Sequence, residues 1–247
     1  MKVDYIENGD CLSLLRKLPD KCIDLIITSP PYNLEKIHHT GSNRFYGYAS
    51  YCDELPEDEY QENQINVLNE CYRVLKDDGS LFYNHKNRIR NGIQITPYEW
   101  LLKCNFVIKQ ELVWKNGSQN FDKIRFYPMT ERIYWLAKSP TVQMFNSIGH
   151  HDVFDSSEWK PQGTKEKFKR AFPIKMVTDI ISCFPEAKVV LDPYSGSGTT
   201  AIGCIKMNVH YIGFEIDKST YELSLKRIEE ENSQFSLFRA NVWEGGD

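Results

Sequence analysis

An α/β fold on a doubly wound, mostly parallel sheet is predicted by three features of this 247-residue chain. Short apolar, β-branched runs at 23–28, 189–191 and 211–216 read as strands buried on both faces. Segments with helical spacing of apolar residues lie between such strands. Two of the strands run into sharp turns, Ser29-Pro30-Pro31-Tyr32 and Asp192 to Thr200, which places both at the carboxyl edge where open α/β sheets take ligands.

Composition sets the frame. With 41% hydrophobic and 26% charged residues, the chain reads as one soluble domain over 1–247. No apolar run is long enough to span a bilayer, and the N-terminus does not read as a signal peptide, so a cytoplasmic protein without membrane contact is expected. The seven cysteines form no Cys-x-x-Cys pair and read as reduced core residues. A net charge of −4 does not mark a nucleic-acid binder, but an acidic protein can carry a basic cleft, so local clusters matter more.

In chain order, Tyr5-Ile6 leads to Asp10, placed to cap a helix with Leu14, Leu15 and Leu18 on one face and Pro19 as its stop. Residues 23–28 form a central strand, which the two prolines after Ser29 end. Residues 34–54 lack periodicity and carry His38, His39, Arg44 and several aromatics, which reads as a loop. Pro56 opens a helix whose first turn holds Glu57, Asp58 and Glu59. Its apolar stripe runs through Leu68, Cys71, Tyr72 and Leu75, and Gly79 is expected to end it. A strand at 80–83 leads to Asn84-His85-Lys86. A helix is expected over 97–104, and strands over 106–114 and 132–137, paired antiparallel. Residues 139–172 read as irregular, with Lys160, Lys165, Lys167, Lys169 and Arg170 clustered near their end. Pro173 opens a helix with Val177, Ile180, Ile181 and Phe184 on one face, followed by the strand at 189–191. After the glycine turn, a helix at 201–207 and a strand at 211–216 follow. Ser219 and Glu222 have capping-box spacing for a last helix that turns Tyr221, Leu225 and Ile228 inward; residues 235–247 carry no clear pattern.

The glycine turn holds the first chemistry. In Asp192-Pro193-Tyr194-Ser195-Gly196-Ser197-Gly198-Thr199-Thr200 the glycines let backbone approach a ligand closely. No lysine follows Gly198, which argues against a Walker phosphate loop, while the spacing of Gly196, Gly198 and Ala201 is compatible with a dinucleotide fingerprint. Asp192 at the strand end repels a pyrophosphate but suits the ammonium of an amino-acid-like cofactor such as S-adenosylmethionine. Glu215, at the end of the next strand with Ile216 behind it, is placed to accept ribose hydroxyls.

Ser29-Pro30-Pro31-Tyr32 holds the second. An exocyclic base amine is a poor nucleophile because its lone pair is delocalised into the ring. A rigid turn holding acceptors, the Ser29 hydroxyl and the Pro30 carbonyl, against its N–H bonds favours a nitrogen able to attack a sulfonium methyl. Tyr32 offers a face on which a flipped-out base can stack.

Taken together, these motifs resemble the bacterial DNA amino-methyltransferases of restriction–modification systems in their β arrangement. There the catalytic Ser/Asp-Pro-Pro-Tyr precedes the cofactor-binding Asp-Pro-Phe-x-Gly-Ser-Gly-Thr-Thr. Here Tyr194 replaces the usual Phe. Gly9-Asp10-Cys11, residues 75–81 and Trp114-Lys115-Asn116 also match family segments, so the resemblance runs from about 6 to 228. It implies a Rossmann-like methyltransferase fold with circularly permuted motif order and S-adenosylmethionine as cofactor. The implied cofactor set is Asp10, Cys11, Asp192, Tyr194, Ser195, Gly196, Ser197, Gly198, Thr199, Thr200, Glu215 and Ile216, and the implied catalytic set is Ser29, Pro30, Pro31 and Tyr32. Double-stranded DNA is the implied partner, contacted through a loop at about 34–54 and a target-recognition insertion at about 139–172. A separately encoded restriction endonuclease and a homodimer stay open. Of the family's His-Pro-x-x-x-Pro stretch, only Pro173 is kept.

The resemblance leaves the target atom between cytosine N4, which Ser29 favours because the adenine enzymes usually begin the motif with Asp or Asn, and adenine N6. A Rossmann oxidoreductase and a catalytically idle nucleic-acid-binding protein are the readings from other classes. Arg44, Lys86, Arg88, Lys165, Lys167, Lys169 and Arg170 are the candidate DNA contacts. His38-His39 and His150-His151 are adjacent pairs whose side chains point apart, so no metal site is expected.

Overall fold

The computed structural model describes residues 1–34, 53–117, 124–126, 128–145, 149–160 and 171–243. In chain order the elements are β1 (Tyr5–Asn8), α1 (Cys11–Leu15), β2 (Ile23–Thr28), α2 (Glu57–Val74), β3 (Leu75–His85), β4 (Arg88–Arg90), β5 (Ile93–Ile95) and α3 (Tyr98–Leu101). They continue with β6 (Val107–Lys115), β7 (Glu131–Ala137), β8 (Val153–Asp155), α4 (Ile174–Ser182), β9 (Val189–Asp192), α5 (Thr199–Met207), β10 (His210–Glu215) and α6 (Lys218–Trp243).

Eight strands form one sheet in the order β1-β10-β9-β2-β3-β7-β6-β8. The first five run parallel; β7 pairs antiparallel with β3 and with β6, and β8 joins β6 in parallel. In β2, Ile23, Leu25, Ile26 and Ile27 are fully buried, as a strand at the centre of a two-sided sheet requires. Its residues alternate between two cores. Ile26 packs with Leu15, Tyr60, Leu68 and Trp100 of α1, α2 and α3, whereas Leu25 and Ile27 pack with Val177, Ile180, Ala201 and Ile228 of α4, α5 and α6. The predicted α/β architecture is therefore the one observed. From β2 the chain crosses to β3 on one side, and from β9 it crosses to β10 on the other. The ends of β2 and β9 thus flank a topological switch point, where this architecture opens a crevice.

Several elements differ from expectation. Gly79 does not end α2, which stops at Val74; it lies inside β3, at an irregularity that carries the pairing from Ile23↔Leu75 to Leu25↔Ser80. A β-carbon at Gly79 would sit 2.8 Å from the Asp24 carbonyl oxygen, so close strand approach demands the glycine. The predicted helix over 97–104 is one turn, Tyr98–Leu101, after which tighter turns carry the chain to Cys104. The segment 139–172 is not irregular throughout. β8 completes the sheet, and Trp159 is buried, stacked on Phe154 at 3.6 Å. The cap of α6 is Asp217, which accepts from the Thr220 N–H and from the Ser219 and Thr220 hydroxyls; Glu222 instead faces Lys218. Leu225 is exposed, while Ile228 turns inward. Beyond 235, α6 continues to Trp243. Among the described residues no helix is long and apolar enough to cross a membrane.

Candidate active site

The crevice at the switch point is a cleft of about 310 Å³. One side is the glycine loop. Gly196 and Gly198 hold φ values of 52° and 80°, left-handed conformations that strain any residue with a β-carbon. This geometry turns the chain from β9 into α5, with Gly198 at the helix N-cap. Arg227 of α6 fastens the loop from behind through the Ser197 hydroxyl, at 2.6 Å. Tyr194, Ser195, Gly196, Ser197 and Thr199 line the cleft, as do Asp10 and Cys11 at the start of α1 and Glu215 and Ile216 at the end of β10. Asp10 also caps α1, accepting from the Ser13 N–H at 2.9 Å.

Three residues expected at the cofactor do not line the cleft: Asp192, Gly198 and Thr200. Asp192 is buried, and its carboxylate is taken up internally. It accepts from the hydroxyls of Thr28 (2.7 Å) and Thr200 (2.6 Å) and from the Tyr194 N–H (3.1 Å). These bonds tie the ends of β2 and β9 to the first turn of α5. The expectation that Asp192 meets a ligand's ammonium is corrected accordingly: its acceptors hold the loop's shape. Burial lifts its pKa to about 6 despite the three donors.

Glu215 differs. One carboxylate oxygen accepts the Gly196 N–H at 2.9 Å and the other the Asp217 N–H at 2.7 Å. Each oxygen keeps a second lone pair, and the residue lines the cleft, so it retains capacity for two hydroxyl donors such as those of a ribose. Burial, with the charges of Asp217 and Asp192 nearby, raises its pKa to about 7. Both carboxyls thus have folded pKa values above their ordinary ones. Their contribution to stability is fully present below the ordinary carboxylate range and is lost as pH rises through about 6 and 7. The ligand-free protein should show a lower Tm at pH 8 than at pH 5.5, with a smaller drop in Glu215→Gln. A parallel drop in both proteins, followed by thermal melts, would assign the pH dependence to other groups.

Across the cleft stands the Ser29–Tyr32 turn. Ser29 and Pro31 line the cleft; Pro30 is buried and Tyr32 stands behind. The Tyr60 hydroxyl of α2 donates to the Pro31 carbonyl at 2.7 Å and lies 2.8 Å from Nε2 of His85. His85, at the end of β3, packs against the Tyr32 ring with centroids 4.5 Å apart. Burial holds its pKa down at about 3, so it is a neutral imidazole. The Tyr32 hydroxyl lies 2.9 Å from Ser29 Oγ, donates to Glu131 at 2.8 Å and accepts from Asn84 at 2.9 Å. Asn33, in a left-handed conformation, exchanges two hydrogen bonds with the Leu55 backbone and donates its own N–H to Asp53. The ends of the 34–54 segment are therefore clasped beside Tyr32.

Tyr60, Asn84, His85 and Glu131 were not singled out from sequence, nor was Gln64, which lines the cleft from α2 and accepts from the Tyr83 hydroxyl at 2.9 Å; each is a lone polar or aromatic residue brought in by sheet pairing or by α2. Among the expected DNA contacts, Lys86 lies beside the site, its Nζ 5.8 Å from the Tyr32 ring centroid. Arg88 is corrected: it is 4% exposed, bonded through both terminal nitrogens to Glu57 and packed over the rings of Tyr60 and Trp100. A guanidinium so enclosed faces no phosphate. Arg44, Lys165, Lys167, Lys169 and Arg170 fall outside the described residues.

Known proteins share both sequence and shape with this chain. It is 24% identical to the Type II methyltransferase M.BglII of Bacillus subtilis, over 94% of this chain and 72% of that one. It is 27% identical to M.HinfI of Haemophilus influenzae, over 92% and 69%. Its fold superimposes on the PvuII DNA methyltransferase, described as cytosine-N4-specific, with a TM-score of 0.73 at 18% identity, over 95% of this chain and 93% of that one. M1.HpyAVI, solved as a complex with S-adenosylmethionine, gives 0.59 at 20% identity over 90% and 98%. The family model for DNA methylases acting on N6 and N4 matches residues 23–226, a span from β2 into α6 that holds the glycine loop, Glu215 and the Ser29–Tyr32 turn, and the protein belongs to that DNA methylase family.

Proposed function

We propose that this DNA amino-methyltransferase acts on the N4 amine of a cytosine flipped out of double-stranded DNA, at a specific site, as part of a restriction–modification system. Its methyl donor is S-adenosylmethionine, which supplies an electrophilic methyl on a sulfonium. The chain's own residues do the rest. Glu215 takes the ribose hydroxyls, Asp10 and Cys11 border the adenine end, and Tyr194 to Ser197 enclose the donor. Ser29 lines the cleft from a turn stiffened by Pro30 and Pro31 and fastened by Tyr60, and its hydroxyl is the side-chain acceptor the turn offers a base amine. A base on Tyr32 would have its amine held there by acceptors, and positioning and electrostatics supply the rate. Residues 34–54 and the 139–172 insertion are assigned to DNA contact, with Arg44, Lys86, Lys165, Lys167, Lys169 and Arg170 as phosphate partners.

The observation that carries the reading is Ser29 lining the same cleft as Glu215 and the glycine loop. Serine at the head of the motif favours cytosine over adenine, and the likeness to the cytosine-N4-specific PvuII enzyme supports the same choice. Ring-carbon methylation by a thiolate has no support in this cleft: burial pushes the Cys11 thiol up to about 12, so it stays protonated. Mass spectrometry of nucleosides from DNA of cells expressing the protein should find N4-methylcytosine. N6-methyladenine as the sole new base would replace cytosine with adenine and leave the family membership intact.

A further inference from the structure

We infer that Glu131 is a positioning residue for methyl transfer, one that fixes the direction of the Ser29 hydroxyl. The inference rests on the reading of Ser29 and Tyr32 as the catalytic turn. Glu131 opens β7, 99 residues beyond Tyr32 in sequence, and antiparallel pairing of β7 with β3 brings it to the turn.

The argument is a count of protons. A carboxylate only accepts, so the single Tyr32 hydroxyl proton goes to Glu131 Oε2, 2.8 Å away. Tyr32 Oη then has only lone pairs for its other neighbours. It accepts from Asn84 Nδ2 at 2.9 Å, and its contact with Ser29 Oγ, also 2.9 Å, must be a bond that Ser29 donates. Ser29 Oγ thereby keeps its lone pairs as acceptors: the Asn84 amide lies 3.4 Å from it on one side, and the other lone pair is available to accept an N–H from a base amine in the cleft that Ser29 lines. Were Tyr32 to donate to Ser29 instead, the serine proton would turn to the cleft and oppose the amine's own hydrogens.

Asn84 gives a second, independent sign that Glu131 sets this polarity. Its amide also donates to Glu131 Oε2, at 3.0 Å, while its Oδ1 is buried with no hydrogen-bond partner among the described residues. Turning the amide over would put that oxygen against the carboxylate, so the charge of Glu131 holds Asn84 in an orientation that leaves an acceptor unmatched. Asn116 donates to the other carboxylate oxygen at 2.8 Å and fixes it in place.

Glu131→Gln keeps the shape and removes the acceptor-only group; Tyr32→Phe keeps the ring and removes the hydroxyl link. In single-turnover methyl transfer to DNA, each is expected to lower the rate about tenfold, less than the roughly hundredfold for loss of a directly acting preorganised contact, because the Ser29 hydroxyl itself remains. KM for DNA and affinity for S-adenosylmethionine should stay unchanged, and the double variant should be no slower than the slower single one, since both break one link. Wild-type turnover in either variant, losses that multiply in the double, or a loss confined to KM would overturn the inference. Tyr32→Phe leaves the carboxylate in place, so it decides the matter if Glu131→Gln fails to fold. Ser29→Ala measured alongside separates the two levels. If it keeps full turnover, the catalytic reading and this inference fall together; if it is impaired and both link variants are not, only the role of Glu131 falls.

Discussion

Replacing Ser29 with alanine is expected to lower methyl transfer about a hundredfold, the loss that follows removal of one preorganised polar contact in an enclosed site. The substitution takes away the hydroxyl of a residue that lines the cleft and leaves the backbone of the turn to Pro30, Pro31 and the Tyr60 bond. No described hydrogen bond links Ser29 to the glycine loop or to Glu215, so affinity for S-adenosylmethionine should be unchanged. Rapid-quench methyl transfer and titration calorimetry read the two quantities separately. A variant that transfers methyl groups at the wild-type rate would remove Ser29 from the mechanism.

The second large effect is on stability. Arg88 has 3% of its side chain exposed, and Glu57 supplies its carboxylate partner through two hydrogen bonds of 2.6 and 2.8 Å. Glu57→Ala leaves a buried guanidinium without that partner, at a cost of about 3 kcal/mol. Turnover should also suffer, because Arg88 packs over Tyr60, the residue that holds Pro31. Replacing Arg88 and Glu57 together with apolar residues of similar volume should cost less than Glu57→Ala alone, since the buried Arg88 charge leaves with its partner, while Arg90, 3.3 Å from Glu57, loses that contact in both variants. Denaturant unfolding curves test this. A double variant less stable than the single one would show that the pair itself, and not the avoidance of an unpaired charge, carries the stability.

The strands and turns that build the site were legible because their signals are local. β2 is a run of β-branched and apolar residues stopped by two prolines, and the loop after β9 carries two glycines that adopt left-handed backbone. What sequence misassigned depends on distance in space. Asp192 reads as a ligand for a cationic cofactor, yet Thr28, 164 residues away, and Thr200 occupy its carboxylate. Arg88 reads as a DNA contact, yet α2 brings Glu57 and Tyr60 over it. Gly79 has the look of a helix stop because nothing in the sequence shows that the Asp24 carbonyl passes within contact of it. Glu131 carries no motif at all; only the pairing of β3 with β7 delivers it to Tyr32.

The central claim, transfer of a methyl group to an exocyclic base amine from the cleft between Ser29 and the glycine loop, is tested most directly with purified protein. DNA incubated with S-adenosylmethionine bearing a deuterated methyl group is digested to nucleosides and analysed by mass spectrometry. The account predicts the deuterated methyl on the N4 nitrogen of cytosine, and its loss in Ser29→Ala. Label on the C5 carbon of cytosine, or undiminished label in Ser29→Ala, would contradict it.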